Sequence, residues 1–198
     1  MSSVYIVDDD AAVRQSLQLL ARSVGLAAEA YESGTAFLAA YHPGMAGCLI
    51  ADIRMPGLSG LELQQALKER GCGLPIVFIT GHADVAMAVR AMRAGALDFI
   101  EKPFRDQELL DRINQALQLD AAGRAARAEV EAIRAQLAAL TPREREVMER
   151  IVQGQANKVI AIDLGLSERT VEIHRAKVMA KTGANSLAEL VSLVAKAR

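Results

Sequence analysis

Three short apolar runs, VYIV at residues 4–7, CLIAD at 48–52 and PIVFIT at 75–80, limit what this chain can fold into more than any other feature. None alternates polar with apolar, so each reads as a strand covered on both faces, the kind found in parallel sheets wrapped by helices. AEAY at 28–31 and DFIE at 98–101 are weaker strands of the same sort, and helical stretches near 11–23, 33–40, 60–70 and 83–94 lie between them. The order is βα repeated five times, which predicts an α/β unit with a five-stranded parallel sheet.

Ligands of such sheets collect beyond the carboxyl ends of the strands. Asp8 and Asp9 follow the first strand, Asp52 ends the third, Thr80 ends the fourth and Lys102 follows the fifth. IVDDD also sets Asp8, Asp9 and Asp10 side by side, and a partly desolvated strand end tolerates such like charge only beside positive charge. A hard divalent cation would supply it. Mg2+ takes oxygen ligands from one or two carboxylates and keeps several waters, so Asp9 and Asp52 would bind it directly while Asp8 holds a coordinated water. Asp52 is then able to attack phosphorus as a carboxylate nucleophile, with Lys102 neutralising oxygens of the transferring group.

Composition narrows the classes further. With 52% hydrophobic and 24% charged residues the chain is a folded protein rather than a disordered one. No apolar run approaches the ~18 residues of a membrane span, and the N-terminus lacks the basic flank and long apolar stretch of a secretory signal, so a cytoplasmic location is expected. The absence of Trp argues against a stacking platform for single-stranded nucleic acid. Cys48 and Cys72 have no metal-ligand spacing and read as small hydrophobes. Charge is uneven: residues 1–104 hold 8 Lys and Arg against 11 Asp and Glu, whereas residues 141–198 hold 10 against 7. A small basic back end suits a polyanion.

Between Arg105 and Leu140 Gly123 is the one helix breaker, so the last helix of the α/β unit runs into a helical linker that either continues or breaks there. Leu109, Ile113 and Leu117 would pack on their own unit; Val130, Ile133, Leu137 and Leu140 would do the same or meet a second copy. LTPRERE then starts a helix, with Thr141 as N-cap, Pro142 in the first turn and Glu144 closing a capping box. NKVIAIDLGLSERTVEIHRAKVMAKTGA holds a helix, a short turn and a second helix capped by Ser167, a helix-turn-helix layout, and SLAE at 186–189 repeats the capping box at the start of a last helix. Val159, Ile160, Ala161, Leu164, Leu166, Val171, Val178 and Met179 are its expected core.

Two stretches resemble known families. VDD, ADIRMPGLSGLEL and VFITGHADVAMAVRAMRAGALDFIEKPF are similar to the receiver domains of two-component response regulators of the FixJ-like type. The resemblance implies a five-stranded CheY-like (flavodoxin-like) fold, with Asp52 taking phosphate from the histidine of a sensor kinase. It also implies Asp8 and Asp9 as the acidic pair, the Arg54 carbonyl as a further Mg2+ ligand, Thr80 as switch hydroxyl, Lys102 as phosphate-binding lysine, and a cis bond before Pro103. Phe99 corresponds to the switch aromatic; without a hydroxyl it either signals by moving its ring or is permanent core. TPRE, NKVIA and SERTVEIHRAKVMAKTGA resemble the LuxR/GerE-type output domain, an all-α helix-turn-helix module.

In that module the helix near 168–182 enters the major groove of double-stranded promoter DNA. Arg169, Thr170, Glu172, Ile173, Arg175, Ala176 and Lys177 are the candidates for contacts there, with Lys158 and Lys181 for phosphate. Glu172 either reads a base or pairs with Arg169 or Arg175. The expected division is a receiver at 1–120, a linker at 121–138 and a DNA-binding unit at 139–198. The implied partners are a sensor histidine kinase, promoter DNA, RNA polymerase and a second copy on phosphorylation. No enzymatic turnover is expected beyond slow loss of the phosphate, because haloacid dehalogenase-type phosphatases need an Asp where this chain has Arg54. The alternative is a constitutive DNA-binding regulator whose front unit is a scaffold, and the complete set Asp8, Asp9, Asp52, Thr80 and Lys102 argues against it.

Overall fold

A computed structural model describes residues 2–81 and 85–197. They form two compact units, Met1–Arg124 and Ala125–Arg198. The first runs β1 (Ser3–Val7), α1 (Ala11–Ser23), β2 (Ala27–Tyr31), α2 (Gly34–Ala40), β3 (Gly47–Asp52), α3 (Gly60–Glu69), β4 (Ile76–Thr80), α4 (Val85–Arg93) and β5 (Asp98–Glu101). All five strands are parallel, in the order β2-β1-β3-β4-β5. The helix expected from residue 83 is described from Val85 onward; residues 83 and 84 lie outside the described residues.

The apolar runs fail to alternate because the sheet is covered on both faces. Tyr5, Val7, Leu49, Ala51, Ile76 and Phe78 meet Phe37, Leu63 and Leu67 on one side. Val4, Ile6, Cys48, Ile50, Val77 and Ile79 meet Leu17, Ala21, Leu109 and Ile113 on the other. Successive residues thus alternate between two cores rather than between core and water. Strand β2 is an edge and only partly buried, which is why its sequence signal is weak. Cys48 is buried in the second core, its thiol pushed up to about 12 by desolvation, while Cys72 is half-buried, and both are free.

Helix α5 (Asp106–Ala138) passes through Gly123 as one helix, and the division between the two units falls inside it, after Arg124. Leu109 and Ile113 are buried and Leu117 packs beside them. Ile133 is buried too, and Leu137 and Leu140 belong to the core of the second unit, so the reading of these three as a contact with a second copy is corrected: the chain covers them itself. Asp120, which no motif singles out, is almost fully buried on α5. Its Oδ2 accepts from the Gly47 N–H at 2.9 Å and from Arg124 Nε at 2.7 Å, tying α5 to the start of β3. Gly47 has φ +136° and a Cβ there would stand 1.8 Å from the Ser3 carbonyl oxygen, so only glycine fits.

The second unit adds α6 (Pro142–Val152), α7 (Asn157–Leu164), α8 (Glu168–Thr182) and α9 (Leu187–Ala197). Thr141 and Glu144 form the expected capping box and Ser167 caps α8. At α9 only half the expected box forms: Ser186 accepts from the Glu189 N–H, but the Glu189 carboxylate accepts from the Asn185 N–H instead of Ser186. Ile160, Ala161, Val171 and Val178 are buried, with Leu164, Leu166 and Met179 packed against them. Val159 is exposed, contrary to expectation, because one turn of α7 presents 160, 161 and 164 inward and leaves 159 and 162 outside. Lys181, expected beside phosphate, is engaged by the protein: its Nζ donates to Glu144 Oε2 at 2.7 Å and to the Ala139 carbonyl at 3.2 Å.

Two outcomes follow. Asp120→Ala leaves the Gly47 N–H without its acceptor, and the receiver unit should lose about 1–3 kcal/mol in urea unfolding. The readout is tyrosine fluorescence, because the three tyrosines, Tyr5, Tyr31 and Tyr41, all lie in the first unit and the chain has no Trp. The Glu144 carboxyl is held down to about 2 by the hydrogen bond from Lys181 and by the Thr141 N–H, against an ordinary 4.5. Its depressed value stabilises the fold above the ordinary value and the gain disappears as pH falls toward 2. Lys181→Met should therefore lower the melting temperature read at the Val178 and Leu190 amides by NMR at neutral pH. The difference from wild type should shrink below about pH 4.5 and vanish near pH 2.

Candidate functional site

In this strand order the chain leaves β1 toward β2 on one side and returns to β3 on the other, so the crevice between β1 and β3 is the switch point of the sheet. Asp8 follows β1 and Asp52 ends β3, 2% and 7% exposed. Lys102, just beyond β5, donates from one Nζ to Asp8 Oδ2 at 2.9 Å and to Asp52 Oδ1 at 3.1 Å. The other Asp52 oxygen accepts from the Arg54 N–H at 2.7 Å. Burial pushes the Asp52 carboxyl above its ordinary value, against the hydrogen bond and charge of Lys102 and the Arg54 N–H. Burial pulls Lys102 down, yet the hydrogen bonds and charges of Asp8 and Asp52 outweigh it and hold the ammonium above its usual value.

The three consecutive acids have three different jobs. Asp8 points into the crevice, where its Oδ1 accepts from the Asp10 N–H at 2.8 Å, and Arg14 Nη1 donates to its carbonyl at 2.8 Å. Asp10 is exposed and is the N-cap of α1, accepting from the Ala12 N–H at 2.8 Å. Asp9 is exposed and lines, with Arg54, an open cavity of about 910 Å³. Three converging carboxylates are therefore not found: among the described residues no three acidic, His or Cys groups sit close enough to hold a metal. Successive residues leaving a strand point to opposite sides, which separates Asp9 from Asp8.

Thr80 is buried at the end of β4, and its carbonyl accepts from the Lys102 N–H at 2.8 Å, which pairs the two strand ends. Phe99 is half-buried at the margin of the first core. The Lys102–Pro103 bond is cis. Gly60 opens α3 directly beneath the site, where a Cβ would lie 2.4 Å from the Asp52 carbonyl oxygen; the missing side chain lets residues 53–59 fold back as a loop beside Asp52. Arg14 and Gly60 carry no motif in isolation. Their parts depend on contacts with Asp8 and Asp52 that only the fold creates.

In the second unit α8 buries Val171, Val178 and Thr182 and turns the opposite stripe outward. Arg169, Glu172, Ile173, Ala176 and Lys177 are exposed along it, and Lys158 is exposed on α7. Thr170 is half-buried with its hydroxyl 2.8 Å from Ser167 Oγ at the cap. Arg175 is half-buried and donates to Asn157 Oδ1 at 3.0 Å, a partner unassigned from sequence. Among the described residues Glu172 forms no ion pair with Arg169 or Arg175, so its carboxylate is left to solvent or to a partner. The arrangement is a helix held from behind by its own core with a mixed stripe in front that carries Arg169, Lys177 and Glu172.

Residues 4–114 match the response regulator receiver domain, and residues 138–194 match the luxR family of bacterial regulatory proteins. The transcriptional regulatory protein FixJ of Bradyrhizobium diazoefficiens is 45% identical over 98% of this chain and 95% of its own length. FixJ of Azorhizobium caulinodans is 48% identical over 96% and 90%. The structure of the response regulator StyR superposes with a TM-score of 0.90 at 47% identity, covering 98% of both chains, and full-length FixJ from B. japonicum with 0.61 at 45%, covering 99% and 97%. With a receiver in front and a LuxR-type helix-turn-helix behind, matched along nearly its whole length, this chain belongs to the FixJ-like two-component response regulators, a family of DNA-binding transcription regulators.

Proposed function

We propose that Asp52 is the phosphoacceptor and that its phosphate controls promoter binding by the C-terminal unit. The observation that carries this reading is the single ammonium of Lys102 shared by the buried Asp8 and Asp52 at the switch point of the sheet. An Asp52 oxygen attacks the phosphorus of a phosphohistidine on the sensor kinase; a P–O bond forms as the P–N bond breaks, and the imidazole leaves. The raised basicity of buried Asp52 favours its attack, while Lys102 keeps the carboxylate ionised and then faces the phosphoryl oxygens.

Receiver domains in general bind Mg2+, and the donors here suit it. The Asp9 and Asp52 carboxylates and the Arg54 carbonyl are all hard oxygen ligands, and no sulfur or imidazole stands among them. Those three would hold the ion, with Asp8 bonded to one of its waters. When bound, it neutralises charge on the transferring oxygens. The phosphate adds roughly 1.5 to 2 negative charges beside Lys102. Thr80, buried next to it, is the hydroxyl that turns toward the new oxygens, and half-buried Phe99 is the ring that answers by moving inward. The change reaches the α4 and β5 surface, where two copies join.

The output side follows from α8. Arg169, Thr170, Glu172, Ile173, Arg175, Ala176 and Lys177 form the face toward the groove, Lys158 meets phosphate, and Lys181 supports the fold. The working division is a receiver at 1–120, a linker at 121–138 and a DNA-binding unit at 139–198. The protein acts in the cytoplasm, where the kinase and the promoter both are, passes its signal to RNA polymerase, and turns over nothing except its own phosphate.

Light-scattering mass with and without beryllium fluoride and Mg2+ tests the switch: wild type should shift from monomer to dimer and Asp52→Asn should not. An Asp52→Asn protein that binds selected promoter DNA as tightly as the activated wild type would sink the reading in favour of a scaffold receiver. On that same DNA, Lys158→Ala should weaken binding evenly across sequences and flatten the salt dependence by about one unit of slope. Arg169→Ala should cost about 1–3 kcal/mol at one base position and relax its specificity.

A further inference from the structure

Helix α4 is held unequally at its two ends. Ala91 is its buried residue, and the chain after it closes a tight cap, with the Ala96 N–H on the Ala91 carbonyl and the Gly95 N–H on the Met92 carbonyl, both at 3.0 Å. The Leu97 N–H then donates to the Ile76 carbonyl at 2.7 Å, which ties the cap to the sheet. At the other end Val85 is 80% exposed, and Val89, mid-helix, is exposed as well.

One polar side chain reaches the held end from a neighbouring helix. Gln64 of α3 is 4% exposed, and its Nε2 donates at 3.2 Å to the same Ala91 carbonyl that already accepts from Ala96. Its Oε1 is buried without a protein partner, so the amide is committed to that one bond. A buried amide with half its capacity unused is costly, and an apolar residue would fill the position without that cost. Gln64 also stands between two cavities. The larger, about 910 Å³, opens between α3 and the loop at 53–59 on one side and Met87 and Arg90 of α4, with Ala94 just after it, on the other. The smaller, about 170 Å³, lies beside the cap at Ala94 and Gly95. The amide therefore bridges a seam that is otherwise loosely filled.

The exposed half of α4 has its own link to the phosphoacceptor. Arg54, whose N–H holds Asp52 Oδ2, places its Nη2 3.8 Å from the Met87 sulfur. We propose that Gln64 is a positioning residue of the switch: it pins the C-terminal cap of α4 at the Ala91 carbonyl. The helix then answers Asp52 by swinging its Val85–Val89 half across the larger cavity rather than shifting as a body. This rests on the phosphorylation switch proposed above and adds the point about which the helix turns.

Hydrogen exchange on the full chain, with and without beryllium fluoride and Mg2+, tests it. In wild type the exchange of amides 85–89 should change on activation while amides 95–97 stay constant. Gln64→Met should raise exchange at 95–97 about tenfold in both states, the factor expected of one lost hydrogen bond. It should leave the β3 amides and the rate of phosphorylation by acetyl phosphate as in wild type, which a general loss of stability would not. Equal changes at 85–89 and 95–97 in wild type, or unchanged exchange at 95–97 in Gln64→Met, would overturn the pivot. Changes at Thr80 and Lys102 without any in α4 would overturn it and leave the switch standing. No change anywhere would remove both.

Discussion

Two carboxylates brought within reach of one ammonium organise this protein. Asp8 and Asp52 come from strands joined side by side in the sheet, and Lys102 arrives from beyond β5, two strands from β3. Without the lysine two buried negative charges would face each other across the crevice, a costly arrangement in a medium of low dielectric. The sheet order, the glycine under Asp52 and the pairing of Lys102 with Thr80 are what make the encounter possible. Each places a strand end rather than a side chain, so the site is as rigid as the sheet.

The same rigidity explains where movement is available. Strands β1, β3 and β4 are buried on both faces, whereas α4 contributes Ala91 as its one buried residue among those described and borders open space. A charge change at Asp52 has little to deform in the sheet. Arg54 touches that helix at Met87, and Gln64 bonds its far end at the Ala91 carbonyl. In the second unit the division is similar: α8 is fixed by Val171, Val178 and Thr182, and its outward stripe is left unburied for a partner.

Much of this was legible beforehand. The central strands, the capping box at Thr141, the Ser167 cap and the helix-turn-helix spacing depend on neighbours a few residues away, and local sequence carries such signals directly. Asp8, Asp52, Thr80 and Lys102 were readable because they fall at strand ends. Val159 was misread as core for a simple reason. Which way a residue points depends on the turn of the helix, and a single position shifts it from inside to outside. Lys181 looked like a phosphate contact because the partner that claims it, Glu144, is 37 positions away.

The sequence by itself determined the parallel α/β front, the helical back and the acids, hydroxyl and lysine at the strand ends, since periodicity and strand-end position are local properties of the chain. Only the tertiary structure decided that Asp8 rather than Asp9 shares the lysine, that Asp120 holds the start of β3, that Gly123 leaves α5 unbroken and that Gln64 meets the cap of α4. Those contacts join residues far apart in the chain. A hydrogen bond between such residues is specified by the packing that brings them together, and that packing is a property of the whole fold.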